Sequence, residues 1–265
     1  MSTLTVSKAI REGLHEEMVR DKNVVVLGED MAVMGSVFAI TQGFLDEFGP
    51  LRVIDTPISE SGFTGMAVGM AMRGLRPVVE WMYDDFIPVC LDPVMNQAAK
   101  MRYMTGGQVK VPIVFRAPIG AGRRNAGQHS QCLEALFTHI PGLKVVCPST
   151  GADAKGLLKS AIRSDDPVVF LEHKLLYAKK EEIPDGEYLI PLGKADVKRP
   201  GKDLTILTWS RQVYFSLEAA ETLAAQGIDA EVVDLRTLVP LDWDAIRASV
   251  QKTGNVMVVE EGVRR

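Results

Sequence analysis

Residues 55–62, Asp-Thr-Pro-Ile-Ser-Glu-Ser-Gly, join an apolar strand to a glycine-rich helix. The strand is predicted over Arg52–Asp55, and the helix is expected to begin near Ser61 and to run through Gly74. A carboxylate at a helix N-terminus is stabilised by the helix dipole and the free amides, and closely spaced glycines let a ligand approach. The stretch therefore predicts that Glu60 is a buried acid facing a ligand, although a plain helix-capping role fits it too.

The composition excludes several classes of protein. The 265 residues are 46% hydrophobic and 24% charged, which is typical of a globular protein with a sizeable core. A formal net charge of −4 without a long basic run gives no reason to expect nucleic acid as a partner. The three cysteines, Cys90, Cys132 and Cys147, are widely spaced and lack zinc-site spacing, so a reduced, cytoplasmic chain is expected.

The first residues show no targeting pattern. Met1–Thr5 leads directly into a helical periodicity over Val6–Arg20, for which Thr5 is the predicted N-cap. No apolar run reaches the length that a membrane span requires, so a membrane partner is not expected.

Strands and helices alternate along the first two-thirds of the chain, which predicts an α/β fold. Apolar, β-branched runs between helices indicate a parallel sheet covered on both faces. Ligands bind such sheets beyond the carboxyl ends of the strands, where Glu29, Glu60, Tyr83–Phe86 and the loop before His129 all fall. The predicted strands are Val24–Leu27, Arg52–Asp55, Pro77–Trp81, Pro112–Arg116, Leu143–Cys147 and Pro167–Glu172.

A second alternation follows a charged, turn-rich stretch. We predict a first domain over residues 1–175, a linker over 176–202 and a second domain over 203–265. The second domain is predicted to contain strands Leu204–Thr208, Ala230–Asp234 and Val256–Glu260, with helices Gln212–Gln226 and Asp242–Lys252 between them.

Three motifs in this order carry a family resemblance. They are Ile58-Ser59-Glu60, Gly127-Gln128-His129-Ser130-Gln131 and Asp153-Ala154-Lys155-Gly156-Leu157. From about residue 4 onward the chain resembles the beta subunit of the thiamine-diphosphate-dependent 2-oxo acid dehydrogenases of the pyruvate, branched-chain and acetoin types. The resemblance implies a parallel-sheet, pyrimidine-binding thiamine-diphosphate domain, followed by an incomplete transketolase C-terminal-like α/β domain whose edge strand, Val256–Glu260, stays exposed.

The resemblance also implies the reaction and the partners. The enzyme decarboxylates a 2-oxo acid, or cleaves acetoin, and transfers the acyl group to a lipoyl arm. The sequence contains no Gly-Asp-Gly and no Asn-Asn pair, the elements that hold the cofactor's diphosphate and its magnesium. An alpha subunit is therefore expected to supply that half in an α2β2 heterotetramer, which would work with a lipoyl acyltransferase component.

Several residues receive roles from the same resemblance. Glu60 is expected to hydrogen-bond the aminopyrimidine of thiamine diphosphate, and His129 to act at the reactive side of the cofactor. The other expected contacts are Glu29 near the cofactor, Phe86 stacked on its ring, Met82 lining the pocket, and the backbone of Ile58 and Ser59. From the residues alone, a turn carboxylate at Glu29, a core aromatic at Phe86 and a surface-loop histidine at His129 stay open.

Two further expectations concern ions and assembly. Some members of the family hold potassium on backbone carbonyls at the positions of Ile113, Ala161, Ile162, Ser164 and Asp166. Gly65 and Gly69, one helical turn apart, fit close packing at a dimer interface. The alternative is a non-catalytic α/β cofactor-binding or assembly subunit, and the sequence does not distinguish a 2-oxo acid from acetoin as substrate.

Overall fold

The computed structural model describes residues 1–263, which form two largely parallel sheets flanked by helices and a separate two-stranded antiparallel sheet. The first seven strands in chain order are β1 (Ser2–Thr5), β2 (Val24–Gly28), β3 (Val53–Asp55), β4 (Arg76–Glu80), β5 (Val114–Ile119), β6 (Lys144–Val146) and β7 (Val168–His173). The remaining strands are β8 (Lys180–Ile183), β9 (Asp196–Arg199), β10 (Leu204–Thr208), β11 (Ala230–Asp234), β12 (Thr237–Val239) and β13 (Val256–Val259).

The helices follow the predicted alternation. They are α1 (Val6–Arg20), α2 (Phe44–Phe48), α3 (Glu60–Met72), α4 (Ala99–Met104), α5 (Glu134–Thr138), α6 (Gly151–Arg163), α7 (Gln212–Ala224) and α8 (Trp243–Thr253). A 3-10 segment over Asp84–Cys90 and a π-helical turn over Pro93–Ala98 stand between β4 and α4.

The main sheet has the strand order β12-β6-β7-β5-β4-β2-β3 and confirms the α/β prediction. Strands β2 to β7 pair in parallel, and β12 lies antiparallel on one edge. Their apolar runs are buried because helices cover both faces: α3 packs on one face through Phe63 and Ala67, whereas α1 and α6 pack on the other through Leu14 and Leu157.

The smaller sheet has the order β13-β10-β11-β9. Strand β13 forms its edge, and Val256, Met257 and Val258 are each at least half exposed there. This agrees with the expected exposed edge strand, and β10, β11 and β13 pair in parallel.

The predicted linker over residues 176–202 is more structured than expected. Strand β8 pairs antiparallel with β1, and β9 adds an antiparallel edge to the smaller sheet. Both strands are charged and occupy sheet edges, where hydrophobic periodicity is weak. Strand β12, which follows β11 in sequence, returns to the main sheet beside β6, so chain segments cross between the two predicted domains.

Two predicted helices differ in extent. The helix expected to run through Gly74 ends at Met72, because the backbone reverses at Gly74 with φ +96°, a conformation that favours glycine. The sequence also predicts a helix over Asp92–Lys100, and the structure has a π-helical turn there, Pro93–Ala98, that continues into α4.

The substitution Thr64→Val tests the packing of α3 on the sheet. The Trp81 indole N–H donates to Thr64 Oγ1 at 2.9 Å, and both side chains are fully buried. Valine leaves the indole without an acceptor, so we expect the free energy of unfolding in urea to fall by about 1–3 kcal/mol. Thr64→Ser keeps the acceptor and should lose clearly less; equal losses for both variants would show that the hydrogen bond contributes nothing.

Candidate active site

Two carboxylates meet at the carboxyl end of the main sheet. Glu29 directly follows β2 and Glu60 begins α3, just beyond β3, and each side chain is about 9% exposed. Burial first, and then the negative charges of Glu60 and Asp30, raise the pKa of Glu29. Glu29 Oε1 is buried without a hydrogen-bond partner among residues 1–263. The pair is therefore a desolvated acidic site with an acceptor left for a ligand.

Glu60 is not a helix cap. Ser59 occupies the N-cap position and Glu60 is the first helical residue, while the Ser59 carbonyl accepts the Phe63 N–H at 3.0 Å. Burial, and to a lesser degree the charge of Glu60, raise the pKa of the Cys90 thiol to about 12. The Glu60 carboxylate thus lies near the 3-10 segment Asp84–Cys90. Ile58, by contrast, is 84% exposed beside it.

Three rings gather next to this 3-10 segment. The His129 imidazole lies 4.4 Å from the Tyr83 ring centroid and 5.4 Å from that of Phe86, edge-on to both. Phe86 is half-buried at the start of the segment, and Met82 is half-buried just before it. His129 is likewise half-buried against aromatic rings, which differs from a free surface-loop histidine.

Hydrogen bonds join the two ends of the loop that carries His129. The Gly120 N–H donates to the Gln131 carbonyl at 2.9 Å, and the Gln131 side chain donates to Asp85 Oδ1 at 2.9 Å. Arg124 and Ala126 both adopt positive φ, near +63°, a conformation that costs a non-glycine residue free energy and that clusters at functional sites.

A buried polar cluster lies behind the rings; the sequence placed Asp84 at this end of the sheet but predicted neither its burial nor the involvement of Lys174. Asp84 is fully buried and accepts the Leu133 N–H at 3.1 Å, and burial, followed by the charge of Asp85, raises the pKa of Asp84 to about 8. Lys174 is 4% exposed, burial lowers its pKa, and its Nζ has no hydrogen-bond partner within the described chain. The adjacent acidic pair Asp84-Asp85 is the only signal in the sequence; Lys174, one residue after β7, carries none.

The second half of the chain also reaches this loop. Glu261 accepts the Ala121 N–H at 2.7 Å, and its other oxygen lies 3.0 Å from His173 Nε2. Burial alone would raise the pKa of Glu261, but these hydrogen bonds lower it to about 2. His173, which no sequence motif marks, is a buried residue beneath Gly120.

The residues expected to bind potassium lie together at the opposite end of the strands. Arg76 Nη1 donates to the carbonyls of Ile162 and Ser164 at 2.9 and 3.0 Å. The remaining three carbonyls also accept protein donors: Ile113 from Val168 N, Ala161 from Ser164 N, and Asp166 from Ser164 Oγ. A potassium ion would share these oxygens with the Arg76 guanidinium, so the potassium site remains a prediction.

Comparison with known sequences assigns the fold and site to a class. The family described as "Transketolase, pyrimidine binding domain" matches residues 2–180, and "Transketolase, C-terminal domain" matches residues 193–265. The class is therefore the transketolase-like, thiamine-diphosphate-dependent proteins. Within it, the chain belongs to the family of beta subunits of the pyruvate- and acetoin-type 2-oxo acid dehydrogenase components.

Three bacterial relatives support this family assignment. The chain is 51% identical to the beta subunit of acetoin:2,6-dichlorophenolindophenol oxidoreductase of Cupriavidus necator, over 99% of this chain and 80% of that protein. It is 50% identical to the pyruvate dehydrogenase E1 component subunit beta of Rhizobium meliloti, over 99% of this chain and 57% of that protein. The chain is also 51% identical to the pyruvate dehydrogenase E1 component subunit beta of Rickettsia felis, over 98% of this chain and 79% of that protein.

A solved structure supports the fold. The chain titled "Split gene transketolase, inactive beta4 tetramer" superposes with a TM-score of 0.81 at 24% identity, over 98% of this chain and 80% of that one. Within residues 1–263, no helix is long and apolar enough to span a bilayer. Across the same residues, no group of three or more His, Cys, Asp or Glu side chains is placed to hold a metal.

The substitution Asp84→Asn tests the buried cluster through pH. A folded-state pKa of about 8, above the usual 3.8, means that the native state binds an extra proton between those values, so native stability falls as pH rises through this window. Asparagine stays neutral, and we expect Asp84→Asn to gain roughly 1–3 kcal/mol relative to wild type between pH 5 and pH 9. Chemical denaturation at both pH values measures this difference.

The control for this measurement is Asp46→Asn on the exposed surface of α2. It should follow the wild-type pH dependence. If Asp84→Asn follows it too, the Asp84 carboxyl is ionised at neutral pH and the proposed burial effect is absent.

Proposed function

We propose that this chain is the beta subunit of a component that decarboxylates a 2-oxo acid, or cleaves acetoin, and passes the acyl group to a lipoyl arm. The observation that carries the proposal is the buried Glu29–Glu60 pair at the carboxyl end of the parallel sheet, with Glu29 Oε1 left unpartnered within the described residues. Burial and the neighbouring charge of Glu60 raise the pKa of Glu29, which suits a site that exchanges protons with a nitrogen heterocycle.

The site residues fit the pyrimidine half of thiamine diphosphate. Glu60 would accept or share a proton at a ring nitrogen, and the half-buried Phe86 would pack on the ring, with Met82 beside it. The exposed peptide of Ile58 offers backbone contacts, whereas the Ser59 carbonyl is already used by α3. When bound, thiamine diphosphate supplies the carbanion chemistry that cleaves the bond beside the substrate carbonyl.

Glu29 would act through Glu60. Because the two acids repel each other when both are ionised, a proton on one lowers the cost of charge on the other. Burial and the charge of Glu60 favour the protonated form of Glu29, which limits the negative charge beside Glu60 when a basic nitrogen binds there. This gives Glu29 the role of a proton-holding neighbour.

His129 is the proposed acid–base residue on the substrate side. Imidazole exchanges protons near neutral pH, and this ring is half-buried between Tyr83 and Phe86, which limits its rotation. A donor in this position can neutralise charge on the oxygen of a 2-oxo acid or of acetoin. The same group can serve the transfer of the acyl group to lipoate.

An alpha subunit would complete the site. Val33 and Met34, in the loop after β2, are 82% and 68% exposed, and Asp55 at the end of β3 holds this loop by accepting the Ala32 N–H at 2.5 Å; Ile58, three residues after Asp55, is 84% exposed. Apolar side chains exposed together at a polar site are typical of an interface. The partner would bring the diphosphate and magnesium ligands. In the proposed α2β2 assembly, the glycine face of α3 would pack between beta subunits, and a lipoyl acyltransferase would receive the acyl group.

Potassium near Ile162 and Ser164 is proposed as a structural ion. Melting the assembled enzyme in KCl and in NaCl at equal ionic strength tests it. A higher Tm in KCl would support the site; equal values would mean that the Arg76 guanidinium alone supplies the positive charge.

The substitution Glu60→Gln tests the proposed function. The chain is co-expressed with an alpha subunit of this family, and thiamine diphosphate binding is measured by calorimetry beside decarboxylation of pyruvate and cleavage of acetoin. We expect Glu60→Gln to assemble normally and to lose at least about 100-fold in kcat, because an amide cannot exchange the proton. Glu218→Gln, on the exposed face of α7, should match wild type.

Two outcomes would contradict the proposal. Full activity of Glu60→Gln would remove the acid from the chemistry. If wild type assembles with the alpha subunit and binds no thiamine diphosphate, the alternative of a non-catalytic assembly subunit takes its place.

A further inference from the structure

Tyr83 connects the sheet to the His129 loop in two ways. Its ring lies 4.4 Å from the His129 imidazole at an interplanar angle of 70°, and its hydroxyl oxygen accepts the Asn125 Nδ2–H at 3.3 Å. The first contact reaches the side chain of His129, and the second reaches the middle of the loop that carries it. Phe86 lies 6.1 Å from Tyr83 and 5.4 Å from His129, so the three rings are mutually edge-on.

The loop by itself holds His129 weakly. The turn Gly127–His129 is only three residues long, and the His129 N–H reaches the Ala126 carbonyl at a long 3.4 Å. The left-handed conformations of Arg124 and Ala126 add conformational strain. The orientation of the imidazole must therefore come from contacts outside the loop.

Tyr83 itself is held by residues outside the His129 loop. It is 8% exposed, and its ring meets Phe38 at 6.3 Å and the Lys174 ammonium at 5.5 Å. The next residue, Asp84, is anchored by the Leu133 amide. A buried cation over the ring and a second aromatic neighbour fix Tyr83 independently of the loop, so it can act as a template for the histidine.

We propose that Tyr83 is a positioning residue for His129: its ring sets the orientation of the imidazole, and its hydroxyl holds the loop through Asn125. This inference rests on the proposed catalytic role of His129. Tyr83, which follows β4, would then contribute to the reaction only through the side chain of His129.

The test uses the α-assembled enzyme without added cofactor. Diethyl pyrocarbonate modifies accessible imidazole nitrogens, and mass spectrometry of the peptide that contains His129 gives the rate. We expect modification to be roughly 3- to 10-fold faster in Tyr83→Leu, which removes the aromatic contact, and about 2-fold faster in Tyr83→Phe, which removes only the hydroxyl. Tyr103→Leu, at an 88% exposed tyrosine on α4, should leave the rate unchanged.

Activity provides the second readout. With a 2-oxo acid or acetoin as substrate, Tyr83→Leu should lower kcat about 10-fold or more with KM within about 2-fold, because a misplaced acid–base group affects the chemical step. Asn125→Ala breaks the hydroxyl contact from the loop side and should reproduce the Tyr83→Phe result. It keeps the test decisive if Tyr83→Leu does not fold.

Different results would overturn the catalytic role of His129 and the positioning role of Tyr83. If His129→Ala retains full kcat, the proposed role of His129 is wrong, while the modification rates still measure whether Tyr83 holds the ring. If Tyr83→Phe and Asn125→Ala assemble and modify at the wild-type rate, and kcat is unchanged in both, the positioning role of Tyr83 is overturned.

Discussion

Arg116, on β5, forms buried ion pairs that link the ends of β4 and β7, the strands that lead into the candidate site. Its guanidinium is 1% exposed and binds Glu80 Oε2 at 2.7 Å and both oxygens of Glu172 at 2.7 and 2.8 Å, while the Tyr177 hydroxyl also donates to Glu172. These carboxylates belong to β4 and β7 on either side of β5. Removing one member of such a buried network typically costs about 3–5 kcal/mol, because the others are left without a partner.

The charges around Arg116 make the carboxyl end of the sheet acidic. One guanidinium faces two carboxylates, and burial raises the pKa of Glu80 despite its partner. The raised pKa values of Glu29 and Asp84 have the same first cause. Poor solvation favours the protonated forms of these acids, which is the property that the proposed chemistry needs. The arrangement of β4, β5 and β7 thus supports both the geometry and the protonation of the site.

Each of these strands leads into a different part of the site. Strand β4 leads to Tyr83 and Phe86, β5 leads to the loop of His129, and β7 leads to His173 and Lys174. Two parts of the chain then contact this loop: after β4, Tyr83 contacts Asn125 and Asp85 contacts Gln131, and in the second half of the chain Glu261 contacts Ala121. The His129 loop is therefore held by the sheet ends and by the smaller domain at once.

The sequence by itself determined the parallel sheet, with its strand β2, and the start of helix α3, which position the proposed site residues Glu29 and Glu60. Apolar runs such as Val24–Leu27 and the helix start at Glu60 are local patterns, because buried strands and helix termini select residue types over a few positions. The position of His129 followed from its motif.

Only the tertiary structure decided which side chains act together. Strands β1, β8 and β12 are short and lie at sheet edges, so their pairing depends on partners far along the chain. Tyr83 resembles any aromatic residue after a strand, and Lys174 resembles any lysine after a strand. Their burial, and the contact between Tyr83 and His129, arise from residues about 45 or more positions apart, which no local pattern encodes.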